Sequence, residues 1–213
     1  SLGQMHLWQT VNWTHERTLA AHEDSIFDLE VSRDGKRLAS CSADKLVYLW
    51  DAETFEKTTT LEGHTGYVLT LRFSPESDRL ATAGDDEAIK VWRLEDQKQI
   101  HSFTDRLATR AVNDLIWDVD PAAKAPKEGE EPAPADWIVA VTEDGKPRAY
   151  TELVVHDGTQ RSGGAKARAW EGSDAALTSI VQLRNRGIVI AGTVDGEVHT
   201  WDLKGTPGAV ILE

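Results

Sequence analysis

Cysteine is almost missing from this chain. Cys41 stands alone among 213 residues, so no disulfide can close within the chain and no cysteine-based zinc site can be built. It sits in a strand-like run and reads as a buried thiol, not a nucleophile. No apolar stretch approaches the roughly 18 residues that a membrane-spanning helix requires, and no membrane contact is expected. Basic residues are few: 23 Lys and Arg stand against 36 Asp and Glu, a net charge of −13. Binding to nucleic acid needs a concentrated basic surface, so none is expected. There is no Gly-x-Ser-x-Gly elbow and no phosphate-cradling glycine loop. The 7 histidines lack metal-ligand spacing, and neither a metal nor a cofactor is expected. Helical periodicity is missing throughout.

What the chain does have is a period. Trp8, Trp50 and Trp92 recur at steps of 42 residues, as do His22 and His64, and Asp44 and Asp86. A fixed step near 40–45 residues with a Trp closing an apolar run points to stacked four-stranded units, not one irregular core. Within the first unit, Ile26, Leu29 and Val31 mark one strand, and Arg33-Asp34-Gly35-Lys36 is turn chemistry. Arg37–Cys41 and Leu46–Trp50 follow as strands, and Thr54–Leu61 as a more polar outer one. The second unit repeats this with Val68, Leu71 and Phe73, then Leu80–Thr82, Ile89–Trp92 and Lys98–Phe103. Short β-branched and aromatic runs between regular turns predict an all-β chain. Two further units are degraded. Trp201 follows Asp195, and Tyr150 follows Asp144, at the spacing by which Trp50 follows Asp44.

Gly63-His64, Trp50-Asp51 and Trp201-Asp202 carry a resemblance to the WD40 repeat family. That resemblance implies β-propeller blades, each a four-stranded antiparallel sheet. About four and a half blades are expected in an incomplete ring: a half blade at 1–19, then blades at 20–61, 62–103, 104–170 and 171–213. It also implies a hydrogen-bonded tetrad in each well-formed blade: His22, Ser40, Asp44 and Trp50, then His64, Thr82, Asp86 and Trp92. An Asp–His–Ser set also builds a hydrolase triad. Here the set recurs in two units, whereas a catalytic site is single, so no catalytic residue is assigned. In the last blade Ser173 and Ala191 replace the His and hydroxyl residues, and in the third Ala140 and Tyr150 replace the hydroxyl and Trp residues. Both are expected to rely more on apolar packing. Family precedent further implies partner contacts at the blade corners, which here are Glu23, Ser25 and Ala43, then Thr65, Tyr67 and Asp85.

The third unit is interrupted twice. The stretch from Trp117 to Ile138 is far longer than its match from Phe73 to Leu80, and it holds Pro121, Pro126, Pro132 and Pro134 with several glutamates. A second addition carries Gly163-Gly164 with Arg161, Lys166 and Arg168. The acidic 118–137 loop and the basic 152–168 loop extend the same end of the same blade, so they are expected to lie close and to neutralise each other in part.

The chain opens in mid-repeat, with Trp8 in the place of Trp50. A piece of a larger propeller within a multidomain protein is therefore expected. Open edge strands favour self-association or pairing with a companion fragment. A soluble cytoplasmic location is the default. The reading that follows is a non-catalytic scaffold for a protein partner. The alternative is a ligand-sensing or regulatory propeller attached to an effector or enzyme domain.

Overall fold

The computed structural model describes residues 2–104, 111–119, 136–151, 166–183, 186–202 and 205–208. These residues form strands and turns, with no helix among them. A two-stranded sheet comes first, β1 (Gln4–Gln9) with β2 (Thr14–Ala20). Blade A follows with β3 (Ile26–Val31), β4 (Arg37–Ser42), β5 (Val47–Asp51) and β6 (Lys57–Leu61). Blade B holds β7 (Val68–Phe73), β8 (Arg79–Gly84), β9 (Ala88–Arg93) and β10 (Lys98–Thr104). Blade C holds β11 (Val112–Val119), β12 (Asp136–Thr142), β13 (Arg148–Thr151) and β14 (Lys166–Ala169). Blade D shows β15 (Leu177–Leu183), β16 (Ile188–Thr193) and β17 (Val198–Asp202). Among the described residues each sheet is an antiparallel meander, and these sheets do not close into a ring.

The register aligns the degraded units with the good ones. Val31 faces Leu38, Phe73 faces Leu80 and Trp117 faces Ile138 across their first two strands. Trp50, Trp92, Tyr150 and Trp201 each pair with the matching residue of the second strand, so Tyr150 does take a Trp place. The turns keep the period in their backbone as well. Trp13, Phe55 and Gln97 all have positive φ, at 56°, 58° and 60°. A left-handed residue there reverses the chain tightly, although none of the three is glycine. In blade A that turn takes residues 52–56, with Asp51 Oδ1 accepting from the Glu53 and Thr54 amides at 2.9 and 2.8 Å. The outer strand therefore starts at Lys57, later than the expected Thr54.

The core lies between sheets. Ala39, Cys41, Val47 and Leu49 of blade A pack on Val68, Leu71, Phe73 and Trp92 of blade B. Ile89 and Val91 of blade B pack on Leu115, Trp117, Ile138 and Tyr150 of blade C. Val139 and Val141 of blade C pack on Leu177, Val189 and Trp201 of blade D. Each strand alternates between the two faces of its blade, so both faces must be apolar, and that explains the near-continuous apolar runs. Where no inner strand precedes blade A, the same positions are bare: Leu29 and Val31 are 48% and 56% exposed, against 0% and 6% for Leu71 and Phe73. Residues 120–135 and 152–165 of the two inserted loops, and with them the expected mutual neutralisation, fall outside the described residues, as does any fourth strand of blade D beyond Gly208.

Candidate interaction site

The corners that follow each outer strand and the hairpins between second and third strands share one face of the molecule. The tetrads lie beneath it. In blade A, His22 Nδ1 lies 2.8 Å from Asp44 Oδ2 and His22 Nε2 lies 2.7 Å from Ser40 Oγ. Trp50 donates its indole N–H to the same Oγ at 2.9 Å. Blade B repeats the set, with His64 to Asp86 at 2.9 Å, His64 to Thr82 at 2.7 Å and Trp92 to Thr82 at 2.9 Å. One proton arrangement satisfies every group: indole N–H to hydroxyl oxygen, hydroxyl to Nε2, and Nδ1–H to carboxylate. It requires neutral imidazole. Burial holds the His22 pKa below the ordinary histidine value, against the pull of Asp44. Burial would raise the Asp86 carboxyl, but hydrogen bonds from His64 and the Thr65 amide outweigh it and hold it below the usual carboxylate range.

These distances are also those of a nucleophilic triad, so access decides the chemistry. Ser40 and Thr82 are both 0% exposed, and each hydroxyl is already capped by an indole. No substrate carbonyl reaches them, and an attack needs a reacting atom within about 3–3.5 Å. The tetrads instead anchor the corners: Asp44 also accepts from the Glu23 amide, and Asp86 from the Thr65 amide.

Of the six corner residues, Glu23, Thr65, Tyr67 and Asp85 are exposed and Ser25 is half-buried. Ala43 is buried, and its amide donates to the Ser25 carbonyl at 2.9 Å where the hairpin folds over the inner strand. It offers no surface to a partner. Tyr67 is held the same way, its carbonyl accepting from the Asp85 amide. Gly84 permits this approach, since a Cβ there would lie 1.9 Å from the Tyr67 oxygen.

Sequence reasoning missed three groups. Phe27 lies beside Tyr67, ring centroids 6.2 Å apart, and both rings are 47% exposed. Phe27 also lines a recess of about 620 Å³ with Leu69, Asn113, Glu143, Thr178 and Val194, residues that come from all four blades. The second group is polar and ties blades together. Each inner strand slips register at one place, just before Asp28, Thr70, Asp114 and Ser179. There Asp28 accepts from the Leu71 amide of blade B at 3.2 Å, and Asp114 accepts from the Ile180 amide of blade D at 3.0 Å. Arg72 bridges both carboxylates. Glu30 joins the group by accepting from the Phe73 amide, and burial raises its pKa to about 7. The slip of register could be read from sequence only as a polar residue inside an apolar run.

The third group adds a buried polar cluster to blade C, where the sequence predicts more reliance on apolar packing. Arg148 is buried and bonds both Asp144 and Thr142. Burial would raise the Asp144 carboxyl, but the Arg148 and Thr142 hydrogen bonds hold it at about 2. The tetrad is replaced by another polar cluster. In blade D the change is simpler. Trp201 turns its N–H to the Glu171 carbonyl at 2.7 Å, because Ala191 offers no hydroxyl.

Residues 13–51 and 55–93 match the family described as WD domain, G-beta repeat. Two WD40 repeats are thus matched within residues 13–93. The matched repeats cover β2 to β9, the part where both tetrads are intact. Among solved structures the chain is similar to that of U3-55K, with a TM-score of 0.77 and 20% identity. The alignment covers 99% of this chain and 58% of that one, so the chain spans little more than half the length of that structure. The likeness is one of fold, that of a propeller. No curated protein matches the chain in sequence. WD40 propellers serve generally as platforms for protein partners.

Proposed function

We propose that this chain is a non-catalytic scaffold whose partner-binding surface is the corner face, centred on Tyr67 and Phe27. The exposed aromatic pair beside a recess shared by four blades carries this reading. Aromatic side chains supply much contact area at small entropic cost, and they are enriched where binding energy concentrates. The tetrads keep the backbone under this surface fixed, so a partner meets a preformed shape. Their capped, buried hydroxyls argue against hydrolysis.

A photo-crosslinking side chain placed at position 67, compared with one at Glu53 on the opposite face, tests this. Discrete adducts from position 67 and none from position 53, in extracts of the source cells, are expected. Equal labelling from both positions, or none from position 67, overturns the reading.

A further inference from the structure

We infer that the corner face takes a basic segment of a partner protein, seating one apolar side chain between Phe27, Leu69 and Val194 while lysines or arginines spread over the surrounding carboxylates. This rests on the scaffold reading above and adds the chemistry of the partner.

The first observation is how charge divides between the two faces. On the face opposite the corners, several acids sit beside a base. Asp34 lies 4.0 Å from Arg37, Asp78 3.3 Å from Arg79, and Asp96 lies 3.0 Å from Arg93 and 3.5 Å from Lys98. The corner face is built otherwise. Glu23, Glu62, Asp85, Glu87, Glu171 and Asp174 are all exposed there, and none forms a salt bridge among the described residues. The exposed cations on these corners, among the described residues, are Lys45 and Lys146. Among the described residues the corners thus carry more exposed acids than exposed cations, and these acids are not neutralised by salt bridges.

The second observation is the apolar centre of that acidic field. Phe27, 47% exposed, and Val194, 66% exposed, line the recess of about 620 Å³, and Tyr67, 47% exposed, lies beside Phe27. Apolar surface of this kind ringed by polar groups marks an interaction site. Carboxylates around an apolar seat raise the local concentration of a cationic ligand and penalise an anionic one. The attraction reaches only about 8 Å at physiological salt, so it selects basic residues flanking the anchor, not distant charge. An acidic, phosphorylated or nucleic-acid ligand would meet like charge here.

Random peptides displayed on phage, panned on the 213-residue chain and counter-selected on a Phe27→Ala/Tyr67→Ala variant, test the inference. Both substitutions are at exposed rings, and unchanged thermal unfolding verifies the counter-selecting variant. Face-dependent peptides enriched in Lys and Arg around one constant apolar residue are expected. Synthetic versions should bind roughly tenfold or more weakly to Glu62→Lys/Asp85→Lys, and more weakly as salt rises, with Asp96→Lys on the opposite face without effect. Face-dependent peptides that are neutral or acidic overturn the charge assignment and leave the scaffold reading standing. Peptides that never distinguish the chain from the counter-selecting variant overturn both.

Discussion

Arg148 sits opposite Ala140 in the register of blade C, and its guanidinium closes on the Asp144 carboxylate. The same register position holds Tyr48 opposite Ser40, Lys90 opposite Thr82 and His199 opposite Ala191. In blade A, Tyr48 lies flat on His22, with centroids 4.1 Å apart and planes 8° apart. In blade C a long cation from this position reaches the Asp that a histidine would have bound. The Asp therefore keeps a charged partner although the rest of the tetrad is gone.

Replacing that cation leaves a partly buried carboxylate without compensation. Arg148→Met should lower stability by about 2–4 kcal/mol at neutral pH. Asp144 titrates at about 2 in the folded chain, below the 3.8 of an ordinary aspartate. The stabilisation is therefore present above pH 3.8 and lost as pH falls through about 2. Denaturant unfolding should show the gap between wild type and variant narrowing in acid. A gap that does not change with pH would point to lost packing instead.

Glu30 has the opposite sign. Its pKa rises from 4.5 to about 7 through burial, among Arg72, Asp28 and Asp114. A raised carboxyl binds its proton more tightly folded than unfolded, so its contribution is full below pH 4.5 and is lost as pH rises through 7. Glu30→Gln keeps an oxygen for the Phe73 amide and removes the titration. It should match wild type below pH 4.5 and exceed it by about 1–3 kcal/mol above pH 7. Identical pH–stability curves for the two proteins would refute this.

The tetrads predict a third result. His64→Ala leaves Asp86 and Thr82 buried and short of partners, which should cost on the order of 1–3 kcal/mol. Thr82→Val removes the hub that joins His64 to Trp92 and should cost a similar amount. Unaltered thermal unfolding in either variant would contradict the network. Indole fluorescence of Trp92 should shift in both, because its N–H loses a fixed acceptor in Thr82→Val and a fixed geometry in His64→Ala.

Much of the fold can be read from the chain because its determinants are local. Strand positions follow from apolar runs, turns from Asp-Gly and Asp-Lys steps, and blade alignment from the Trp period. The tetrads are implied by the family resemblance, and the constant separations of their four members along the chain agree with it. Arg148 is harder to find. Four residues after Asp144, it looks like an ordinary strand cation until Ala140 is seen across from it.

The sequence by itself determined the repeat, the strand order within each blade and the residues able to form the two tetrads, since each depends on separations of a few tens of residues. Tertiary structure decided the rest. Phe27 meets Tyr67, Arg72 meets Asp28 and Asp114, and Asp114 meets the Ile180 amide only because successive blades stack with their inner strands side by side. Contacts across blades depend on the angle at which one sheet packs on the next, and the side chains of both faces set that angle together. No pattern along a single strand encodes it, and the surface proposed for a partner is made of such contacts.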